Sequence, residues 1–411
     1  MFTQQSQTQI SEIRESVVLR VFGFGLAFGL GLTYWQWVPW LKNQGPELAI
    51  CWPSLPFCGE IQSLFYGFIP FLHYSLLLFF LVALISFLGQ RMTRMGYWCL
   101  ALGFFVKAII YSFDYQLINS VHLIHFLAGF TFLFVPNKIR SLRFLVVGFY
   151  FFSGLFKIHK DWLSGLALGD FLTNPQSPLY FLFEAQLIPV LTILVVLIEM
   201  VVSFGLLAMS RRVFWGSFLT LLVYHALSYF IVGMFPPAIM AALLLFFPVH
   251  WFVEYPSFKT GYRPIFEESR ISKRAVLFLF LFCFSQVWPK LFWGSKVFVG
   301  ENRAWLLVSY DTPVICRMSA FSYGDESVRD LDFNNYAAGG RGSTQCDPYI
   351  VFFRTKKICD RVLKASESGG MHFQLYKRRR NESKYMRVVN STDFCSQDVT
   401  YKSFMDGWSE S

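Results

Sequence analysis

Lys157 is the residue of this chain whose type and position point most directly to chemistry. It follows the apolar stretch 150–156 and precedes Ile158-His159-Lys160-Asp161-Trp162. An ionisable side chain at membrane depth is costly and is therefore a candidate functional residue. Desolvation favours the neutral form of a lysine, which can then act as a base. Two structural alternatives stay open: the ammonium snorkels to the lipid headgroups, or it pairs with Asp161 four residues further on.

Two further polar residues interrupt apolar stretches. Glu199 lies within the run 191–204, where a charged carboxylate needs a partner or a proton. It could accept hydrogen bonds from a neighbouring helix or orient a catalytic group, and Lys107 is one candidate partner. His225 lies in the middle of Leu221-Leu222-Val223-Tyr224-His225-Ala226-Leu227.

His122 and His125 are three residues apart, so they share one face of a helix. This spacing could bind a metal, but no acidic or third ligand stands nearby in the sequence. The pattern favours hydrogen bonds between helices, and we predict no metal site.

The composition indicates that the elements positioning these residues are membrane helices. Of 411 residues, 55% are hydrophobic and only 15% are charged. Apolar stretches of about 20 residues are candidate transmembrane helices. Nine such runs predict an all-α polytopic bundle of about eight or nine helices: 16–37, 65–89, 97–113, 118–136, 144–160, 187–208, 213–234, 237–251 and 275–293.

The basic residues predict the orientation of the bundle. Arg91 and Arg94, the stretch 138–143, Arg211 with Arg212, and the stretch 259–274 all fall on one side of the predicted helices. The positive-inside rule therefore places the N-terminus in the cytoplasm and, with nine crossings, the C-terminal region in the periplasm or a lumen. The net charge of +10 is explained by this anchoring at the membrane, so it does not indicate a nucleic-acid partner.

The cysteines agree with this topology. Six of the eight fall on the predicted exterior side, where disulfides persist: Cys51, Cys58, Cys316, Cys346, Cys359 and Cys395. Six cysteines allow fifteen pairings, which the sequence leaves open. We expect a membrane domain over 1–293 and a small, disulfide-bonded α+β domain over 294–411. Within the latter, 349–353 and 371–376 resemble strands and 356–365 a short helix.

Several features together resemble the vitamin K-dependent γ-carboxylase family, whose membrane part is the HTTM (horizontally transferred transmembrane) domain. The most specific is Gly154-Leu155-Phe156-Lys157-Ile158-His159-Lys160-Asp161-Trp162, which resembles the family's Gly-x-x-Lys-x-x-x-Asp-Trp segment. The others are the Glu199 helix, His225 upstream of 231–235, the segment 301–307 and the cysteine segments 50–53 and 358–363.

The resemblance implies roles for these residues. Lys157 would be the catalytic base, with His225 and Glu199 completing the catalytic group. A substrate or quinone pocket would contain Trp305, His122 and Trp162. The resemblance also implies a Cys51–Cys359 disulfide.

It further implies a reduced quinone similar to vitamin K hydroquinone, with O₂ and CO₂ as co-substrates. The expected function is quinol epoxidation coupled to proton abstraction and carboxylation of a glutamate in a peptide or a related substrate. The chain lacks most of the large exterior region of animal carboxylases, and 170–179 lacks their arginine. The alternative is a non-enzymatic membrane partner in the maturation of, or immunity to, a secreted toxin-type peptide. Membrane lipid and a secreted peptide or protein are the expected partners, and the sequence leaves the oligomeric state open.

Overall fold

The structure is a computed structural model. It describes residues 2–44, 50–51, 60, 68–113, 120–165, 168, 187–208, 210–232, 244, 246–248, 273–293, 314–324, 327–331, 348–365, 370–379, 384, 386–396 and 399–410.

In the described part of the N-terminal region every regular element is a helix or a 3₁₀ turn. Its long helices are α1 (Phe2–Glu15), α2 (Val17–Gln44), α3 (Ile69–Leu88), α4 (Thr93–Phe113), α5 (Ser120–Phe134), α6 (Lys138–Phe156), α8 (Ile188–Met200), α9 (Arg211–Val232) and α10 (Lys273–Trp293). A short helix α7 spans Lys160–Leu163, and 3₁₀ turns span Gln90–Met92 and Val202–Leu207.

Five segments among the described residues are long and apolar enough to cross a membrane. They are Val17–Trp35, Phe71–Leu88, Gln90–Ile110, Lys138–Phe156 and Ile188–Leu207. The chain is therefore a multi-pass membrane protein. The shorter α5 is also apolar, and α9 and α10 have 22 and 21 residues. The predicted count of eight or nine is not confirmed, and most of the predicted helix 237–251 lies outside the described residues.

The helices are apolar on nearly all sides because they meet both protein and lipid. Inward-facing aromatic rings form the centre of one hydrophobic core; Phe22 on α2, for example, packs against Phe132 on α5 and Phe246. Large apolar side chains point outward on the same helices, including Phe71, Phe105 and Val190, each more than 60% exposed. Such a surface suits hydrocarbon rather than water, so lipid contact follows.

The C-terminal region contains a four-stranded antiparallel sheet in the order β2-β1-β3-β4. The strands are β1 (Val314–Gly324), β2 (Ser327–Leu331), β3 (Gly370–Arg379) and β4 (Met386–Ser391). Met371, Phe373 and Leu375 alternate along β3 on the buried face, as expected for a half-buried strand. That face packs against α11 (Pro348–Ala365) and, near β4, against α12 (Tyr401–Glu410).

Two predictions for this region are wrong. The run 349–353 is not a strand but the start of α11; its β-prone residues form a helix because the apolar positions of the longer segment share one helical face, which packs on the sheet. The Cys51–Cys359 disulfide does not form, because Cys359 is bonded to Cys395. Cys51 is itself disulfide-bonded, to a cysteine other than Cys359.

The segment around Cys51 nevertheless lies next to the helix that contains Cys359. Tyr349 donates a hydrogen bond from Oη to the backbone oxygen of Cys51 over 3.0 Å. Ile50 also packs with Tyr349 and Ile350 in a small buried cluster. The segment after α2 therefore touches the start of α11. Cys99 and Cys283 lie in α4 and α10 as free thiols. The predicted domain boundary at 293–294 follows the end of α10, but residues 294–313 are outside the described ranges, so it stays a prediction.

Candidate functional site

The site begins where α6 ends. Phe156 is the last residue of the helix, and Lys157 follows with its backbone N–H bonded to the Gly154 oxygen at 3.0 Å. Gly154 faces α8 so closely that an added Cβ would lie 2.5 Å from Met200 Cγ and 3.1 Å from Glu199 Cβ. The absence of a side chain at Gly154 thus lets α8 approach α6 one turn before Lys157.

Lys157 and Glu199 form a buried ion pair between α6 and α8. Lys157 Nζ contacts both carboxylate oxygens of Glu199 and donates a further hydrogen bond to Ser153 Oγ over 3.0 Å. Lys157 is 6% exposed and Glu199 4% exposed. This burial excludes the snorkelling alternative for Lys157. The partner of Glu199 is Lys157 rather than Lys107, which had been considered from the sequence.

Helix α9 extends this pair into a network. Tyr224 donates a hydrogen bond from Oη to Glu199 Oε1 over 2.7 Å. The adjacent ring of His225 lies with its centroid 5.1 Å from that of Tyr224. His225 Nε2 is 2.6 Å from Tyr150 Oη on α6. Three helices therefore meet through these side chains within the membrane region.

His225 has one ring nitrogen available. Among the residues that the structure describes, Nδ1 is buried without a hydrogen-bond partner. When the Tyr150 hydroxyl donates a hydrogen bond to Nε2, a neutral imidazole carries its own hydrogen on Nδ1. The arrangement then presents an N–H donor from a buried position, which is what stabilisation of a developing negative charge requires.

Trp162 covers the lysine from the α7 side. Lys157 Nζ lies 5.2 Å from the centroid of the Trp162 ring, within range of a cation–π interaction. The indole itself is buried, and its Nε1 donates to the Thr192 backbone oxygen on α8 over 3.4 Å. The ring is thus fixed against α8 beside the ion pair.

The structure brings together four of the six residues predicted from the sequence for catalysis or the pocket: Lys157, Glu199, His225 and Trp162. His122 belongs to a second buried group on other helices, where its ring centroid lies 6.3 Å from that of Tyr34. Trp305 lies outside the described residues. No group of three or more His, Cys, Asp or Glu that could hold a metal ion occurs within the described ranges.

Three members of the network were missed by the sequence reasoning. Tyr224 and Tyr150 provide hydroxyls to Glu199 and His225, and Ser153 provides one to Lys157. Ser153 stands four residues before Lys157 on the same helix, so helical spacing could have found it. The tyrosines carried no comparable signal, since tyrosine is common in the apolar stretches of this chain.

The comparisons with known proteins concern this same part of the chain. Residues 135–251 match the family model of the HTTM domain. No curated protein and no solved structure matches the chain. The matched segment contains Lys157, Trp162, Glu199 and His225. The chain therefore contains a segment that matches the HTTM domain, and its buried Lys157–Glu199 network lies inside that segment.

Proposed function

We propose that this protein is a membrane enzyme similar to the vitamin K-dependent γ-carboxylases, coupling oxidation of a reduced quinone to carboxylation of a glutamate in a peptide or a related substrate. The observation that carries the proposal is the buried lysine, held by a carboxylate, beside a histidine with an unpartnered ring nitrogen. An amine and an N–H donor in a site poor in water suit proton abstraction from a phenolic hydroxyl.

The residues present fit a reduced quinone. Lys157 and the Nδ1 edge of His225 would bind its polar groups, and the Trp162 ring would pack against its flat face. When bound, the quinol would supply, together with O₂, the strong base needed to remove a proton from a peptide glutamate, and CO₂ would trap the carbanion. The quinol, O₂ and CO₂ are proposed on the resemblance and on this fit.

Lys157 must lose its proton before it can act as a base. Glu199 offers a route, because a proton passed from Nζ to the carboxylate converts the ion pair into a neutral amine and a neutral acid. Such a transfer leaves no isolated charge behind, so it costs less in a buried site than loss of the proton from Nζ alone. The neutral amine would then take the substrate proton at Nζ. The resulting ammonium would face a protonated Glu199. Release of that proton from Glu199 to water would restore the ion pair, with the carboxylate positioned by the Tyr224 hydroxyl.

His225 would act on the negative charge that develops on the substrate oxygen. Its Nδ1–H would donate to that oxygen, while Tyr150 holds the ring through Nε2. Once it has taken the substrate proton, Lys157 is positively charged and would stabilise the same anion. Lys157 follows α6 and His225 lies on α9, so the two residues can act on one substrate only while these helices stay packed together.

The proposal includes the orientation predicted from the basic residues, with the N-terminus in the cytoplasm and the C-terminal region in the periplasm or a lumen. The disulfide between Cys359 and Cys395 supports an oxidising compartment for that region. A secreted peptide substrate would then meet the exterior region on the side where it is exported.

A second function is favoured by one specific observation, namely that Lys157 is saturated by Glu199 and Ser153. In that case the ion pair only joins α6 to α8, and the protein is a non-enzymatic partner in the maturation of, or immunity to, a secreted toxin-type peptide. Such a partner should tolerate Lys157→Arg, which keeps the positive charge. An enzyme should not, since guanidinium does not act as a base near neutral pH.

The deciding experiment is oxygen-dependent quinol epoxidation by the purified protein in nanodiscs. We expect product from the wild type and none from Lys157→Ala or Lys157→Arg. Lys402→Ala serves as the matched control, because Lys402 is an exposed lysine on α12. Wild type that is folded but yields no product from any of several quinols would overturn the enzymatic proposal, as would full activity in Lys157→Arg.

A further inference from the structure

A second group of buried polar side chains lies apart from the proposed catalytic network. Its members come from four helices: Tyr34 on α2, His73 on α3, Lys107 on α4, and His122 with His125 on α5. All five are at most 4% exposed, and Lys107 and His125 are fully buried. They precede residues 135–251, so the matched HTTM segment does not include them.

Four of the five side chains are joined by ring or cation–ring contacts, and His125 stands three residues from His122 on the same face of α5. The ring centroid of Tyr34 is 6.0 Å from that of His73 and 6.3 Å from that of His122. Lys107 Nζ lies 5.9 Å from the centroid of the same tyrosine ring. We call this set the Lys107 cluster.

Two of the histidines have polar atoms that the rest of the described protein does not satisfy. Both ring nitrogens of His73 and both of His125 are buried without a hydrogen-bond partner among the described residues. Leaving a buried polar group unpaired costs about 1–3 kcal/mol, so native proteins rarely keep several of them close together. Unpaired nitrogens in two rings of one cluster therefore indicate a missing partner.

The charge of the cluster decides the kind of partner. A buried oxyanion would stabilise the protonated form of Lys107, whereas a metal or another cation would be repelled by it, and the described residues form no group suited to a metal. Imidazole N–H groups beside an ammonium bind oxygen acceptors, and most strongly acceptors that carry negative charge. We propose that the Lys107 cluster is a binding site for an oxyanion, a carboxylate or phosphate carried by a lipid or free in solution. This site goes beyond the proposed function and does not depend on it.

Binding can be measured with the full-length protein in nanodiscs of phosphatidylcholine, which carries no net charge. The probes are radiolabelled oleate for a lipid carboxylate and radiolabelled inorganic phosphate for a free oxyanion. Empty nanodiscs give the background from partitioning. We expect saturable binding of at least one probe, weakened at least tenfold by His125→Phe and by Lys107→Met. Oleate alone would identify a lipid source, and phosphate alone a free anion.

Two variants serve as controls. Arg91→Gln removes an exposed positive charge near the start of α4 and should leave binding unchanged. Thr220→Ala, at an exposed position on α9, should also leave binding unchanged. If His125→Phe does not fold, as judged by its unfolding temperature, His73→Phe replaces it. Absence of saturable binding of both probes, or equal affinity in the wild type and the cluster variants, would overturn the proposal.

Discussion

Lys157 on α6 and Glu199 on α8 are 42 residues apart in the chain and form a buried ion pair. Removing one partner of such a pair leaves an uncompensated charge, which costs about 3–5 kcal/mol. We therefore expect Lys157→Met and Glu199→Gln each to lower the free energy of unfolding by about that amount. The double variant should lose much less than the sum, because neither charge is left alone.

Unfolding in detergent, followed by tryptophan fluorescence, measures this cycle. Thr220→Ala on α9 is a suitable control, since Thr220 is exposed and bonds only to the Gly216 oxygen of its own helix among its described hydrogen bonds. Additive losses in the double variant would show that the two side chains do not interact in the protein.

Tyr224 is expected to position the carboxylate of Glu199. A hydrogen bond to a charged group contributes about 1.5–3 kcal/mol and one between neutral groups about 0.5–1.5 kcal/mol. Tyr224→Phe should therefore destabilise the protein more than Tyr97→Phe, which removes a bond to the neutral Leu133 oxygen. If the proposed function holds, Tyr224→Phe should also reduce quinol turnover. Equal losses of stability in both variants would contradict a charged Glu199.

The sequence predicted the local elements of the membrane region well but not their contacts. The apolar runs 97–113 and 213–234 lie within about two to four residues of α4 and α9, because about twenty apolar residues suffice to specify a membrane helix. The partner of Glu199 could not be predicted, since Lys107 and Lys157 have equal chemistry and only the packing at Gly154 selects between them.

In the C-terminal region the sequence did not predict which cysteines pair or where the first helix begins. Six exterior cysteines allow fifteen pairings, and the resemblance selected the wrong partner for Cys359. The correct choice depends on α11 packing against β3 and the turn after β4, which brings Cys395 to Cys359. The β-prone residues at the start of α11 likewise follow their tertiary environment rather than their local preference.

The disulfide itself is testable. Peptide mapping without reduction should yield a fragment that joins Cys359 to Cys395 and none that joins Cys51 to Cys359. A disulfide typically stabilises by about 2–4 kcal/mol, so the C-terminal region should unfold more readily in the variant with alanine at both Cys359 and Cys395. Cys99→Ser is the control, because Cys99 is a free thiol in α4. A Cys51–Cys359 fragment would contradict the structure.

Asp393 should make the C-terminal region sensitive to acid. Burial opposes ionisation of this carboxyl, but hydrogen bonds from the Ser396 hydroxyl and from the N–H groups of Ser396, Met371 and Cys395 lower its pKa below the ordinary value of 3.8. A carboxyl with a lowered pKa stabilises the fold above its unfolded pKa. This contribution is lost as the pH falls below about 4 and through the lowered pKa.

Proteolysis of the C-terminal region across pH 2–6, with an acid-stable protease, would measure this loss. Asp393→Asn should be less stable than the wild type near neutral pH and should change less as the pH falls. An unchanged acid profile in Asp393→Asn would show that another carboxyl controls the transition.

Gly154 should be required for the approach of α6 to α8 beside the ion pair. A methyl group at Gly154 would lie 2.5 Å from Met200 Cγ and 3.3 Å from the Met200 backbone nitrogen, so the two helices would have to move apart. Overpacking of this kind costs about 1–3 kcal/mol. We therefore expect Gly154→Ala to lower the unfolding temperature and to loosen the contact between Lys157 and Glu199.

Gly216 on α9 is the matched control, because an added Cβ there meets nothing within 4 Å. Alanine is favoured over glycine in helices by about 1 kcal/mol, so Gly216→Ala should be neutral or slightly stabilising.

The Lys157–Glu199 ion pair should depend on the close approach at Gly154. Once α6 and α8 have moved apart, Glu199→Gln should lower the free energy of unfolding less in the Gly154→Ala background than in the wild type. An equal cost in both backgrounds would show that the ion pair does not depend on the close approach at Gly154.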